Sequence, residues 1–319
     1  MFLKFEFMLP VRSILETAFQ SLPHALQYNL GEFFWDLNSS RAKEKFTKVN
    51  GIEIAYAELG DKKNPVLLIL HGFSDSKEGF LNFASHLSKH FFVLVPDLPG
   101  FGKSDKPDTR YSLKFYAQIL HEFLALRGIS HFHAYGNSMG GAILIEYNHL
   151  YHDKFLSLIL SCSAGLIPKK DYGSFYEEVK TGNNLFLIEE IHHFEEFMKK
   201  IFYNQELIPF LVKGYIFEEY KSNRFWYEKL MGDILLPHIN ASEEELSIQN
   251  QKVKEIICPT LVLWGEHDRV FPKELAYEFQ QSIPNAKLEI IEDVGHLPHL
   301  EKPERTYKRI LKFYKDIGL

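Results

Sequence analysis

The residues best suited to chemistry are a serine, an aspartate and a histidine that occur in this order along the chain. Ser138 stands in the pattern Gly-x-Ser-x-Gly, directly after an apolar run and before a helical one. This context is typical of a sharp turn from a strand into a helix, which lifts a serine hydroxyl above the edge of a sheet. A serine hydroxyl is a weak nucleophile at neutral pH, so it needs a base, and that base needs an orienting carboxylate. We therefore expect Ser138 to be a nucleophile.

An acid and a base follow the serine in the sequence. Asp268 comes just after the apolar run at 260–264, and His296 comes soon after the run at 287–291. If both runs are strands, the two side chains lie at the carboxyl ends of a sheet, as Ser138 does. Spacing alone leaves neighbouring residues open for the two roles: Glu266 or Asp293 as the acid, and His267 or His299 as the base.

Backbone donors for a developing oxyanion are expected at two places. One is the N–H group of Met139, directly after the nucleophile, and the other lies in the loop after the third predicted strand, where His71 and Gly72 precede Phe73. Amide groups at these positions bind the negative oxygen of a tetrahedral intermediate. We expect Met139 and Phe73 to supply them.

Eight short segments are predicted to be the strands that position these residues. Several are continuous apolar runs, as expected for strands that are buried on both faces of a parallel sheet. Helical patterns alternate with them, for example between Ser112, a predicted N-cap, and Gly128, a predicted stop signal. The alternation predicts an α/β fold with a mostly parallel, eight-stranded sheet and helices on both faces. The predicted strands are 46–49, 52–58, 66–70, 91–95, 131–135, 156–162, 260–264 and 287–291.

The chain divides into three predicted parts. Residues 166–250 contain no convincing strand but fifteen aromatic residues, so we predict an inserted helical cap over the end of the sheet where open α/β folds bind ligands. The remaining segments, 46–165 and 251–319, are predicted to form the α/β core. Residues 1–45 hold two apolar stripes with helical spacing and are predicted to be an amphipathic helical extension. We favour packing of this extension on the core, and contact of residues 1–40 with a lipid or membrane surface stays open.

The composition excludes several classes of protein. The chain has 319 residues, 36 of them Lys or Arg and 42 Asp or Glu, and its formal charge of −6 argues against nucleic acid as a partner. Cys162 and Cys258 are too few for a disulfide scaffold and lie in no metal-ligand spacing, so we expect neither a bridge nor a metal site. No segment has the pattern of a membrane span or of a secretory signal, and we expect a cytoplasmic protein. The sequence does not indicate an oligomeric state.

Five motifs together resemble the α/β-hydrolase fold superfamily, over a match that runs from about residue 46 to the C-terminus. Within it the chain is most similar to bacterial esterases and lipases with a helical cap, including the cold-adapted lipases that carry Gly-Asn-Ser-Met-Gly-Gly. The N-terminal segment lies outside the resemblance. The motifs are His71–Phe73, Asp97–Ser104, Gly136–Gly141, Trp264–Asp268 and Gly295–His296.

The resemblance implies a serine hydrolase that cleaves carboxylic esters. It places the acid at Asp268 and the base at His296, and so decides between the candidates that spacing left open. Neither a cofactor nor a metal is then required. The aromatic cap would supply an apolar pocket, so we expect an ester with a medium-length or lipid-like acyl chain.

Three positions of this chain bear on whether it has one of the other activities found in related proteins. The elbow around Ser138 also resembles that of carbon–carbon bond hydrolases that act on ring-fission diketones. Those enzymes usually carry a tryptophan after the catalytic histidine, where this chain has Leu297, and a glycine-rich loop where it has Phe73 and two polar residues. Epoxide hydrolases and dehalogenases use an aspartate nucleophile, so Ser138 excludes them. Acyl transfer uses the same triad and stays open, whereas an intact triad argues against a non-catalytic ligand receptor.

Overall fold

The structure is a computed structural model that describes residues 42–168, 172, 175–180, 184–208 and 210–319. The predicted N-terminal helices therefore lie outside the described residues. The first described strand begins at Lys43, three residues before its predicted start.

One eight-stranded sheet organises the described residues, and this confirms the predicted fold. Along the sheet the strands follow the order β1-β2-β4-β3-β5-β6-β7-β8. The pairs β1–β2 and β2–β4 are antiparallel, and every other neighbouring pair is parallel. The strands are β1 (Lys43–Val49), β2 (Ile52–Leu59), β3 (Val66–Leu70), β4 (Phe92–Pro96), β5 (Phe132–Asn137), β6 (Phe155–Ser161), β7 (Thr260–Gly265) and β8 (Lys287–Ile291).

Helices cover both faces of the sheet. The described α-helices of the core are α1 (Leu81–Leu87), α2 (Leu113–Ala125), α3 (Met139–Leu150), α10 (Glu274–Ser282), α11 (Pro298–Glu301) and α12 (Pro303–Asp316). The described α-helices between β6 and β7 are α4 (Phe175–Lys180), α5 (Ile191–Ile201), α6 (Phe210–Ser222), α7 (Arg224–Ile234), α8 (Leu236–Ile239) and α9 (Glu243–Lys254). Short 3-10 turns occupy Lys77–Phe80 and Gln205–Leu207.

The core is apolar on both sides of the sheet. Buried residues of α2 and α3 pack against one face, and buried residues of α1 and α12 pack against the other. The helix predicted after Ser112 is confirmed, because the Ser112 hydroxyl oxygen accepts a hydrogen bond from the Phe115 N–H group at 3.1 Å. Gly128 follows the helix with a φ of +67°, a conformation that a residue with a side chain adopts at a cost.

The segment between β6 and β7 is helical in its described part, as predicted. We call residues 166–250 the insert. Its last helix, α9, begins at a capping box formed by Ser242 and Glu245 and continues to Lys254, four residues past the predicted boundary. No helix among the described residues is both long and apolar enough to cross a membrane.

Candidate active site

Ser138 lies in a strained turn between β5 and α3. Its φ of 52° and ψ of −119° are rare for a residue with a side chain. Hydrogen bonds hold this conformation: the Ser138 N–H donates to the Ser161 carbonyl at 3.0 Å, and the Ser138 carbonyl accepts from the N–H groups of Gly141 and Ala164 at 3.0 and 3.1 Å. The predicted strand–turn–helix geometry is therefore present at the serine.

The glycines of the elbow are required by close backbone contacts. A Cβ atom on Gly140 would lie 2.5 Å from the Leu70 carbonyl oxygen, and one on Gly136 would lie 2.6 Å from the Gly141 nitrogen. Side chains at these positions would force β5, α3 and the end of β3 apart. The pattern around Ser138 thus has a steric cause.

Asp268 and His296 form a buried pair at the same edge of the sheet. The His296 Nδ1 atom lies 2.9 Å from Asp268 Oδ2, at hydrogen-bond distance. The other oxygen, Oδ1, accepts from the N–H groups of Val270 and Phe271 at 2.8 and 3.0 Å. The orientation of the carboxylate and of the imidazole ring is therefore fixed.

The neighbouring histidines occupy different surroundings. His299 stacks on Phe80 with ring centroids 3.9 Å apart, and neither of its ring nitrogens has a hydrogen-bond partner among the described residues. Burial lowers the pKa of His299 to about 3, so the ring is neutral. His267 stacks on Tyr203 at 4.5 Å. Neither ring is paired with Asp268 as His296 is.

The alternative acids lie nearer the surface. Glu266 Oε1 lies 3.7 Å from the Lys273 ammonium, and a third of its side chain is exposed. Asp293 is exposed. The structure therefore brings Asp268, and not these two carboxylates, against His296.

The serine and the histidine line one cavity of about 470 Å³. Asn137, the residue before the serine, connects their loops because its amide Nδ2 donates to the carbonyl oxygens of Ser161 and His296 at 3.1 and 3.3 Å. Ser138 and His296, 158 positions apart in the sequence, thus line the same cavity at the carboxyl ends of the strands.

The loop after β3 passes directly over the serine. A Cβ atom on Gly72 would lie 3.2 Å from the Ser138 Cβ atom, so the next amide in the chain, that of Phe73, lies close to Ser138. The Phe73 N–H group has no hydrogen-bond acceptor among the described residues. The Met139 N–H group is at the first position of α3, where helical amides lack an intrahelical acceptor. Both predicted donors are thus placed near the serine.

His71 fixes this loop, a role that the sequence did not reveal. Its Nε2 atom accepts from the Leu98 N–H at 2.9 Å, so Nδ1 carries the proton and donates to the Gly72 carbonyl at 2.7 Å. Burial lowers the pKa of His71 to about 4, which keeps the ring neutral. A histidine at the end of a buried strand is the signal that could have suggested it.

Glu301 joins the histidine loop to the insert and was also missed from the sequence. Its Oε1 atom accepts from the Gly295 N–H at 2.7 Å, and its Oε2 atom accepts from the Tyr203 N–H at 2.8 Å. The His296 N–H donates to the carbonyl of Ile201, at the end of α5, at 2.8 Å. Burial raises the pKa of the Glu301 carboxyl, against the opposing effect of these backbone donors. A carboxylate inside a buried turn needs hydrogen-bond partners. A glutamate in such a turn is therefore the feature of the sequence that could have suggested this role.

Cys162 forms a close group with Asp268 and His296. The potential ligand atoms of Cys162, Asp268 and His296 lie within 4.8 Å of one another. Burial raises the pKa of the Cys162 thiol well above its ordinary value, so the thiolate that binds metals is disfavoured. Both cysteines are free. That no metal is required stays a prediction.

A second, smaller cavity of about 70 Å³ also reaches the serine. Its described lining is almost wholly apolar, with Gln249 as a polar exception besides Ser138. Phe73, Ser138 and Phe186 line both cavities. The serine thus lies at the junction of an apolar cavity and a larger one that contains His296.

Comparisons with known proteins agree with this geometry. The family model of the α/β hydrolase fold matches residues 65–303. Lipase 1 of Psychrobacter immobilis is 32% identical over 89% of this chain and 88% of its own length. A 2-hydroxy-6-oxo-6-(2'-aminophenyl)hexa-2,4-dienoic acid hydrolase of Metapseudomonas resinovorans is 28% identical over 89% of this chain and 95% of its own. The crystal structure of a membrane phospholipase A, a bacterial virulence factor, superposes with a TM-score of 0.77 and 28% identity over 96% of this chain and 92% of the other. The resemblance that the motifs indicated is confirmed, and the chain belongs to the α/β hydrolase fold family.

Proposed function

We propose that this carboxylic ester hydrolase works through an acyl-enzyme formed on Ser138. The Ser138 hydroxyl attacks the acyl carbon and passes its proton to His296, while Asp268 holds the imidazolium that forms. The N–H groups of Phe73 and Met139 bind the oxyanion. Collapse of the intermediate releases the alcohol, which takes the proton from His296, and water then repeats the sequence to release the acid.

One observation carries this proposal above the others. His296, which forms a buried hydrogen bond with Asp268, lines the cavity that is also lined by Ser138, a serine held in a strained turn. A hydrogen bond that served stability alone would need neither a serine in a strained turn nor unpaired amides beside it. Each amide that binds an oxyanion contributes roughly 10²- to 10³-fold to turnover in enzymes of this kind.

The two cavities support an assignment of the two halves of the substrate. His296 must give its proton to the leaving alcohol, and it lines the larger cavity but not the smaller one. We therefore place the alcohol in the larger cavity and the acyl chain in the smaller, apolar one. Because a cavity of about 150 Å³ holds the six carbons of benzene, a cavity of about 70 Å³ holds about three carbons beyond the acyl carbonyl. We therefore propose an acyl chain of about four carbons, shorter than the medium-length or lipid-like chain expected from the sequence.

The insert supports its proposed role as a cap. Phe186 closes the boundary between the two cavities, with its ring centroid 4.9 Å from that of Phe73. Phe197 and Tyr220, also in the insert, line the larger cavity. The division into an insert, 166–250, and a core formed by 46–165 and 251–319 is part of the proposal.

A panel of 4-nitrophenyl esters of increasing acyl length, run beside a ring-fission dienone, tests the activity. We expect release of nitrophenol with a maximum at short acyl chains and no cleavage of the dienone. Cleavage of the dienone with no ester hydrolysis would overturn the proposal in favour of the carbon–carbon hydrolase alternative. Product analysis with an added alcohol would reveal acyl transfer as a transesterified product.

A further inference from the structure

The loop after β3, which carries one of the proposed oxyanion donors, is anchored to the core at both ends. At its start, His71 Nδ1 donates to the Gly72 carbonyl at 2.7 Å. At its end, the backbone N–H group and the ammonium of Lys77 donate to the two carboxylate oxygens of Asp97 at 2.6 and 2.9 Å. Residues 73–75 lie between these anchors, so other contacts must hold them.

The insert supplies a hydrogen bond to this middle part of the loop. Tyr220, on α6, has its hydroxyl oxygen 2.6 Å from Ser74 Oγ. Ser74 Oγ donates its single proton to the Phe73 carbonyl at 2.6 Å, so the Tyr220 hydroxyl is the donor to Ser74. Burial raises the pKa of Tyr220 well above its ordinary value, which keeps this proton in place. Among the described residues, no other hydrogen bond reaches residues 73–75 from outside 71–77.

Ser74 has a backbone conformation that needs such support. Its φ of 59° lies in the left-handed region, which residues with a side chain adopt at a cost. The chain therefore turns sharply directly after Phe73. A hydrogen bond that holds Ser74 in place opposes relaxation of this turn.

Two fixed peptide groups determine the direction of the Phe73 N–H group. The peptide group before Phe73 contains the Gly72 carbonyl, which is bound by His71. The peptide group after it contains the Phe73 carbonyl, which is bound by Ser74. A trans peptide group is planar, and the described residues contain no cis peptide, so the Phe73 N–H group points away from the Gly72 carbonyl. Rotation of this amide is thus restrained from both sides.

We infer that Tyr220 is a positioning residue for the reaction, which acts through Ser74 to hold the Phe73 N–H group where the oxyanion forms. This inference rests on the proposed function, because it assigns a role in the binding of that oxyanion. It gives the insert a directional contact with the site, besides the apolar contacts by which its rings shape the cavities.

Removal of single hydroxyl groups tests the inference on the full chain. Tyr220→Phe removes the donor and keeps the ring, which packs on Phe197 at a centroid distance of 4.8 Å. Ser74→Ala removes the acceptor, and the double variant combines the two changes. Tyr227→Phe is the matched control. Tyr227 lines the same cavity with its ring centroid 5.6 Å from that of Tyr220, and its hydroxyl group makes no hydrogen bond to a described residue.

Two compounds separate the ground state from the tetrahedral state. The substrate 4-nitrophenyl butanoate gives kcat and KM, and propyl trifluoromethyl ketone is the inhibitor. Ser138 Oγ adds to the ketone carbon, the serine proton passes to His296, and the carbonyl oxygen becomes an oxyanion. The inhibition constant therefore reports binding of a tetrahedral adduct that resembles the transition state.

We expect Tyr220→Phe to lower kcat about 5- to 30-fold while KM changes less than about twofold, because a displaced oxyanion donor costs less than an absent one. The inhibition constant of the ketone should rise by the same factor, since the Phe73 N–H group binds the oxyanion in both cases. Ser74→Ala should have the same effects. The double variant should be no slower than the slower single variant, because both changes break one chain of hydrogen bonds. Tyr227→Phe should keep the wild-type constants.

Three results would overturn the inference. The first is a wild-type kcat and ketone inhibition constant in Tyr220→Phe, or in Ser74→Ala if Tyr220→Phe does not fold. The second is an equal loss of kcat in Tyr227→Phe. The third is a loss in the double variant equal to the product of the two single losses, since that pattern describes independent residues. Failure of the proposed function is recognised separately, because Ser138→Ala would then hydrolyse 4-nitrophenyl butanoate as fast as the wild type.

Discussion

The edge of the sheet and the insert contribute to the active site by different kinds of contact. At the edge, hydrogen bonds of 2.7–3.0 Å fix the side chain of Asp268 and the loop that carries His296. In the insert, aromatic rings such as Phe186 and Phe197 shape the cavities through contacts that tolerate small shifts. Directional contacts position reacting atoms, whereas apolar contacts set a volume. Changes at the edge should therefore reduce turnover by orders of magnitude, and changes in the insert should redistribute substrate preference.

Ser138→Ala is the substitution at the edge of the sheet with the largest expected effect. It should lower kcat by about 10⁴-fold or more while the melting temperature changes little, because the members of the proposed triad act as a unit. The rate of 4-nitrophenyl butanoate hydrolysis measures the effect, and Ser130→Ala, at an exposed serine before β5, is the control. Retention of more than a few per cent of wild-type turnover would show that Ser138 is not the nucleophile.

Asp268→Asn tests the orientation of the base. The amide favours the wrong imidazole tautomer, so we expect a loss of roughly 10³- to 10⁴-fold in kcat with the fold retained. Glu266→Gln, two residues earlier and paired with Lys273 at the surface, should be nearly silent. The reverse ranking of the two variants would mean that the acid is wrongly assigned.

Glu301→Gln sharpens the comparison because Glu301 joins the edge to the insert. The amide cannot accept from all the backbone donors around it, so the His296 loop should shift and lower kcat about 10- to 100-fold with little change in KM. Glu292→Gln, an exposed glutamate near His296, is the control. An equal loss of kcat in Glu301→Gln and Glu292→Gln, or a change in KM without a change in kcat, would show that Glu301 does not position His296.

Phe186→Ala tests the insert. Removal of the ring that lies between the two cavities should lengthen the preferred acyl chain and change relative kcat/KM values several-fold, with kcat on short chains retained within about tenfold. The nitrophenyl ester panel measures this profile. Phe225→Ala, at a 75% exposed phenylalanine of the insert, should leave it unchanged. If both variants keep the wild-type profile, Phe186 does not limit the acyl chain.

Acid should weaken the core through its buried histidines. Burial lowers the pKa of His71 and of His133 to about 4, and that of His299 to about 3. Below their ordinary pKa of 6.5 the unfolded chain binds protons that the folded chain does not, so stability is lost as the pH falls from 6.5 toward 4. The melting temperature measured from pH 7 to pH 4 should fall, and His299→Leu should make the fall shallower. If the melting temperature of His299→Leu falls with pH as steeply as that of the wild type, His299 does not contribute to the loss of stability in acid.

Much of the edge was predictable from the sequence because it depends on local patterns. The continuous apolar run 66–70 predicted the observed bounds of β3, and the segment 287–291, which also contains Lys and Glu, predicted those of β8. The pattern Gly-x-Ser-x-Gly located the turn at Ser138. The choice of His296 over His299 needed the family resemblance. The two histidines differ in their surroundings and in their hydrogen-bond partners, and the spacing of residues in the sequence shows neither difference. The role of Glu301 and the shape of the larger cavity depend on contacts between segments about 100 or more residues apart. Residues 1–41 and their predicted helices lie outside the described part of the chain.

Covalent labelling tests the central claim most directly. A fluorophosphonate probe reacts preferentially with a serine that an adjacent base activates, and mass spectrometry of the digested protein locates the adduct. We predict a single adduct on the peptide that contains Ser138 in the wild type, and strongly slowed labelling in His296→Ala. Ester hydrolysis by a protein whose adduct lies on another residue, or that forms no adduct, would contradict the account.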